Sequence, residues 1–514
     1  MTRKDIHVKT ATGRVCGSQA GDVHVFKGIP YAEPPEGPHR FQPPRPLKAW
    51  KGVREATRPG GVPIQPAMPV LRFMNAGASR QSEDCLYLNV WTPGTGRARR
   101  PVFVWIHGGG FLIGAGSSPV YDGGLLASNG DMVVVTINYR LGALGYVHLG
   151  GLGIEGLEEA SNLGVRDQIA ALEWVRDNIE RFGGDPGNVT VAGQSAGAMS
   201  VGALLGAPSA RGLFRRAILQ SAAGDHVLSR DKADQVAERF LHELGKRSCT
   251  PSELAEVPVG EILRAQGLVN RKFMNARDLM VMMPCIDGEL ITECPLEAIR
   301  GGSVAEIELM IGTTLEEWKL FTPLEAGLVG SSESRLVARF ADLLPEVAAN
   351  SPSPEQAAQS YREAVRERGG GTTPFEVWSA FQSMRVFHRP SIELADTQVR
   401  AGGRAHSYLF AWKPAAFSQT LGACHAMDLP FVFGRTSDPL TRALTGFASS
   451  ARRLSSRMQA AWAGFSRGGS PCHDELPEWD LYDPATRPTM VFDRECTLAD
   501  SPLAAERELI DAWS

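Results

Sequence analysis

The chain has 514 residues, 43 % of them apolar and 21 % charged, with 55 glycines, 34 prolines and a net charge of −4. This is the composition of a globular protein rich in loops. No basic block or stripe offers nucleic acid an electrostatic footprint, and no run of about 18 apolar residues is present to span a membrane.

The opening residues, Met1 to His7, lead into no apolar stretch, so a secretory leader is not expected. The eight cysteines (Cys16, Cys85, Cys249, Cys285, Cys294, Cys424, Cys472 and Cys496) are scattered, with no C-x-x-C pair and no zinc spacing. Reduced, mostly buried thiols in a cytoplasm are the expectation, with no structural metal and no cofactor.

In chain order, residues 5–60 read as short strands and Pro-rich turns. Val102–Ile106 is continuously apolar, as a central parallel strand is. Met132–Ile137 is the next such run. A helix is expected over 166–181, where Ile169, Leu172, Val175 and Ile179 recur at helical spacing. Val189–Ala192 is a further strand, followed by Ala217–Gln220, Glu308–Ile311 and Ser407–Phe410. Strands alternating with helices imply an α/β layered fold with a mainly parallel sheet. Two mostly helical insertions, at about 226–300 and 322–400, interrupt the series. In the second, Ser351–Pro354 and Gly369–Gly371 read as surface loop. No repeat or linker divides the chain, so a single domain over 1–514 is expected.

The chemistry concentrates after Val189–Ala192. There the chain reads Gly193-Gln194-Ser195-Ala196-Gly197, a Gly-x-Ser-x-Gly pentapeptide between a strand and a helix-like run of small residues. That layout is a nucleophile elbow, which presents a serine on a sharp strand-to-helix turn. A serine hydroxyl is a poor nucleophile without a base, an acid to orient the base, and donors for the developing oxyanion. The donors are expected in His107-Gly108-Gly109-Gly110-Phe111, directly after the Val102–Ile106 strand, joined by the N–H of Ala196 at a helix start. A phosphate loop would need a Lys-Ser/Thr ending, which this turn lacks. His107 is expected to pack and shape the turn.

Longer blocks carry a resemblance. Phe26-Lys27-Gly28-Ile29-Pro30-Tyr31-Ala32, Ser82-Glu83-Asp84-Cys85-Leu86-Tyr87-Leu88-Asn89-Val90-Trp91-Thr92-Pro93, Asn138-Tyr139-Arg140-Leu141-Gly142, Phe182 through Gly197, Pro284-Cys285-Ile286-Asp287-Gly288 and the stretch from Trp462 to Tyr482 follow one another in order. In them the chain resembles the type B carboxylesterase family, which includes the cholinesterases and the bacterial para-nitrobenzyl esterases. The resemblance implies an α/β-hydrolase fold, with a mainly parallel central sheet flanked by helices and helical insertions over the active site. It implies a serine esterase working through an acyl-enzyme on a small-molecule ester.

It also places the remaining residues. Gly312-Thr313-Thr314-Leu315-Glu316-Glu317-Trp318 matches the family's acid block and implies Glu317 as the acid, with Glu316 the competing surface carboxylate. Gly422-Ala423-Cys424-His425, ahead of Phe431-Val432-Phe433-Gly434, implies His425 as the base. The resemblance makes the second and third glycines of the triplet, Gly109 and Gly110, the oxyanion donors with Ala196. Ser221 matches a family serine near the acid, or is an ordinary strand-end serine. Arg40 and Glu83 match a structural ion pair. Phe111, Gln194, Trp318 and Phe431 are expected at the substrate pocket, their aromatic character suiting a mainly apolar ester.

The chain also departs from the family. Gln194 stands where most relatives carry glutamate, which leaves the imidazolium of His425 less stabilised. Trp318 stands where glycine is usual, and either narrows the pocket or is a repacked core residue. Cys85 has no cysteine to pair with upstream, so a free thiol is expected. Cys424, beside the base, is expected as a passive buried thiol, the alternative being a target of bulky thiol reagents. The same triad would also serve an acyltransferase or a lactone, amide or carbamate hydrolase. A non-catalytic cholinesterase-like binding module would lack one triad member, and this chain has all three.

Overall fold

The computed structural model describes residues 5–67, 80–222, 224–246, 249–275, 279–324, 330–344, 352–414, 420–446 and 449–513. Among the described residues there are thirteen strands: β1 (Asp5–Lys9), β2 (Arg14–Ala20), β3 (Val23–Pro30), β4 (Val53–Glu55), β5 (Tyr87–Thr92), β6 (Gly96–Ile106), β7 (Val133–Ile137), β8 (Phe182–Gln194), β9 (Arg216–Gln220), β10 (Glu308–Thr314), β11 (Ala405–Phe410), β12 (Pro488–Phe492) and β13 (Thr497–Asp500). They form one sheet in the order β1-β2-β3-β5-β7-β6-β8-β9-β10-β11-β12-β13, with β4 beside β2. From β7 to β12 every pairing is parallel. The pairings from β1 through β2, β3 and β5 to β7 and the last pair are antiparallel, while β4 lies parallel to β2.

The central strands are buried on both faces, which is why they read as unbroken apolar runs. One face, with Val104, Val135, Val191 and Leu219, packs beneath helices Leu163–Asn178 and Ala196–Gly206. The other, with Phe103, Trp105, Ile218 and Tyr408, packs on helix Ser449–Gly468. Strands β6 and β8 run longer than their apolar stretches suggest. Gly96–Arg100 extends β6 along Phe182–Gly184 of β8, across register shifts that periodicity does not signal.

The first expected insertion carries helices Arg230–Glu243, Pro251–Ala255, Val259–Phe273 and Pro295–Arg300. The second carries Glu333–Leu343, Pro354–Glu367, Pro374–Ser383 and Arg389–Arg400, with a π-helical turn, Met384–His388, before the last. These helices bury a third apolar cluster that contains Phe340, Tyr361, Trp378 and Phe381. One expectation needs correcting. Ser353-Pro354 is a helix start, not loop: Ser353 and Gln356 form a capping box with proline at the first helical position. Ser351 lies outside the described residues. Among the described residues no helix is long and apolar enough to cross a membrane, and none of the eight cysteines is in a disulfide.

Candidate active site

The carboxyl ends of β6, β8, β9, β10 and β11 lie side by side, and the loops leaving them carry the candidate residues, as open α/β sheets favour. Ser195 caps helix Ala196–Gly206 at φ +57° and ψ −128°, a conformation an L-residue adopts only when its surroundings impose it. The elbow can approach β6 because position 197 is glycine: a Cβ there would lie 2.1 Å from the Ile106 carbonyl oxygen. The helix that follows is buried along its whole length, which requires its small apolar residues.

The glycine turn sits against the elbow. Gly109 adopts φ +123°, and a Cβ on it would lie 2.0 Å from the Ile113 carbonyl oxygen. Among the described residues the N–H groups of Gly109 and Gly110 have no backbone acceptor. His107 is buried and stacked on Tyr139 with centroids 4.5 Å apart, and its Nδ1 lies 2.9 Å from the Gly108 oxygen. Burial lowers its pKa to about 4, so the ring is neutral.

Glu317 and His425 are brought together from positions 108 residues apart in the sequence. The Glu317 carboxylate, fully buried, takes the His425 Nδ1–H at 2.6 Å and the Thr314 N–H at 2.7 Å. Burial by itself would raise that carboxyl. The His425 ring, its hydrogen bond, the Ser221 hydroxyl and His388 outweigh it and hold the group below the usual carboxylate range. Ser221 is buried at φ +59°, and its hydroxyl lies beside Glu317, where it helps hold that carboxylate down.

Glu316 is not a surface carboxylate. It binds Lys319 at 2.7 Å and Lys413 at 3.2 Å, and accepts the Ala423 N–H at 3.0 Å. It therefore fastens the loop that carries His425. Arg40 and Glu83 form a two-pronged pair at 2.6 and 2.7 Å.

Gln194 is buried, with its amide nitrogen 2.9 Å from His425 Nε2. Trp318 is in the third apolar cluster and touches Phe321 and Phe387. Two of the expected pocket residues lie elsewhere. Phe111 is fully buried edge-on to Tyr146, and Phe431 is fully buried against Phe410 and Trp412. Both are core residues; their aromatic character serves the packing of the sheet.

The rings beside the histidine are instead Phe321, at 5.1 Å, and Phe387, at 4.9 Å, which stand nearly parallel to each other. Phe387 comes from the π-helical turn, a feature that often marks functional sites. The same turn supplies His388, whose Nδ1 lies 2.7 Å from Thr313 Oγ1. Below the histidine, Asp428 is fully buried and accepts from Gln220 at 2.8 Å and Tyr408 at 3.1 Å. Burial, with Glu317 adding to it, pushes the Asp428 carboxyl up to about 6. None of Phe321, Phe387 and His388 lies in a sequence block that pointed to the site. Asp428 had one available signal, its place three residues after His425.

An imidazole on a buried carboxylate, a strained serine at a helix start, and two glycine N–H groups with no backbone acceptor among the described residues are the kinds of parts acyl transfer uses. The comparisons with known proteins agree with that chemistry. The carboxylesterase family profile matches residues 4–509. The para-nitrobenzyl esterase of Bacillus subtilis is 37 % identical over 501 residues, covering 98 % of this chain and 97 % of its own. Liver carboxylesterase 1 of Oryctolagus cuniculus is 33 % identical, covering 93 % and 88 %. A crystal structure of a Geobacillus stearothermophilus carboxylesterase superposes with a TM-score of 0.86 at 38 % identity, over 99 % of this chain and 100 % of that one. The protein belongs to the type B carboxylesterase family and is a carboxylic ester hydrolase of the α/β-hydrolase fold.

Proposed function

We propose that the protein hydrolyses small, mainly apolar esters through an acyl-enzyme on Ser195, with His425 as general base and Glu317 as its orienting acid. The observation that carries this is the 2.6 Å bond from His425 Nδ1 to the buried Glu317 carboxylate. It fixes the tautomer with Nε2 as the proton acceptor. The Gln194 amide occupies that lone pair in the free protein, and gives it up as the Ser195 hydroxyl turns towards His425.

Ser195 Oγ attacks the ester carbonyl as His425 takes its proton. The oxyanion is held by the N–H groups of Gly109, Gly110 and Ala196, the last at a helix N-terminus where the dipole favours negative charge. His425 then protonates the departing alkoxide. Water, deprotonated by the same nitrogen, releases the acid. The rings of Phe321, Phe387 and Trp318 offer flat apolar surface to the substrate, which favours an aromatic or short-to-medium acyl part.

The test is pre-steady-state turnover of p-nitrophenyl esters of graded acyl length. A burst followed by steady release is expected, and Ser195→Ala is expected to lose both while staying folded. Ester turnover retained in that variant would overturn the assignment.

A further inference from the structure

Far from the candidate active site, the first strands of the sheet carry a second chemical group of residues. Strand β1 alternates, with Ile6 and Val8 buried in the core and Asp5, His7 and Lys9 facing outward. Strand β2 pairs with it in antiparallel register, so that Cys16 is the direct partner of His7. Directly opposed side chains in such a pair sit on one face with Cβ atoms about 4.5–5.5 Å apart. The ligand atoms of Asp5, His7 and Cys16 consequently all lie within 4.8 Å of one another. Cys16 is only 2 % exposed yet belongs to none of the three apolar clusters. On β2's other flank its register partner is Glu55 of β4.

We infer that Asp5, His7 and Cys16 form a surface binding site for a borderline divalent cation, Zn2+ being the best match. One thiolate, one carboxylate and one neutral imidazole carry two negative charges, which neutralise the ion. This mixed sulfur, nitrogen and oxygen set favours zinc over magnesium or calcium. A tetrahedral zinc holds such donors roughly 3.3–3.6 Å apart, given bonds of about 2.0–2.3 Å. Closing from within 4.8 Å takes a side-chain adjustment of about an ångström, with no movement of the paired backbone. The fourth position is open to water or to Glu55. Binding releases the thiol proton of Cys16 to solvent, forms the metal–sulfur bond and changes no oxidation state. The bound ion ties the edge strand β1 to β2. Sequence spacing does not show the set, because strand pairing, not a local motif, assembles it.

The test uses the full chain, stripped with chelator and titrated with Co2+ as a spectroscopic stand-in. Zn2+ is then measured against a chromophoric chelator. One equivalent of Co2+ with a thiolate-to-metal charge-transfer band, displaced by Zn2+, is expected. Cys16→Ser is expected to abolish the band. His7→Ala, at an exposed position that folding does not depend on, is expected to weaken Zn2+ at least tenfold and to cancel the rise in Tm that Zn2+ gives the wild type. Ester turnover is expected to stay unchanged in both. Cobalt bound without a thiolate band, a band that survives Cys16→Ser, or undiminished Zn2+ affinity in His7→Ala would each overturn the inference.

Discussion

Replacing Asp428 with asparagine is expected to make the protein's stability less sensitive to pH in one defined window. The wild-type carboxyl is fully buried near His425, and its pKa is raised from an ordinary 3.8 to about 6. A carboxyl whose pKa is higher in the folded state holds its proton more tightly there. Its contribution is therefore full below about pH 4 and is lost as pH rises to about 6 and beyond. The rise corresponds to about 3 kcal/mol at neutral pH. Asparagine removes the ionisation, and its oxygen can still accept from Gln220 and Tyr408 as Oδ2 does. Its amide takes the place of Oδ1, which has no partner among the described residues, so any cost there is the same at every pH. With an unfolding entropy of ~2.1 cal/mol/K per residue over the chain, 3 kcal/mol is worth a Tm change of about 3 °C. The assay is differential scanning calorimetry of both proteins from pH 4 to pH 7.5. The variant's Tm relative to wild type is expected to climb by about 2 °C between the ends of that range, because part of the loss has already occurred by pH 4. A difference constant with pH would refute the assignment of a buried, ionising Asp428.

Glu317→Gln is expected to lower kcat on the order of ten-thousand-fold with little change in Tm, because the amide no longer stabilises a charged His425 or fixes its tautomer; steady-state kinetics beside calorimetry check this. Phe387→Ala is expected to cut kcat/KM for aromatic acyl esters about five- to tenfold, the worth of about 1 kcal/mol of ring contact, while acetyl esters change less. A uniform loss across acyl groups would place the ring outside the acyl contact. The Cys424 thiol is buried, and that burial is the main cause of a pKa pushed up to about 12. Iodoacetamide is accordingly expected to leave native Cys424 unmodified in peptide mass spectra and activity intact.

The local pattern was enough to locate Ser195, since a β-branched strand, two flanking glycines and a run of small residues specify the elbow within one short stretch. Glu317 and His425 lie at strand ends with no such local compulsion, and only the order of the longer blocks pointed to them. The pocket was read less well. Phe111 and Phe431 are aromatic and adjoin the motifs, yet adjacency in sequence says nothing about which side of a sheet a ring enters. Phe321 and Phe387 reach His425 through a 3-10 stretch and a π-helical turn, whose irregular periods leave no amphipathic trace. The long β6–β8 pairing was hidden because register shifts break the alternation. Ser353-Pro354 was legible, since a serine three residues before a glutamine, with proline between, is a start signal that composition alone disguises as loop.

On the proposed function, the third apolar cluster links the rings beside His425 to the outer helices. Trp318 and Phe387 belong to it, together with Phe340, Tyr361 and Phe381. Trp513, in the helix Ala504–Trp513, lies 6.4–6.5 Å from these last three rings. The serine, the glycine turn and the acid are instead seated on the sheet. On the proposed function, sequence drift in the outer helices, or clipping of the final one, is expected to reach the ester through Phe387, the ring that also stands 4.9 Å from His425.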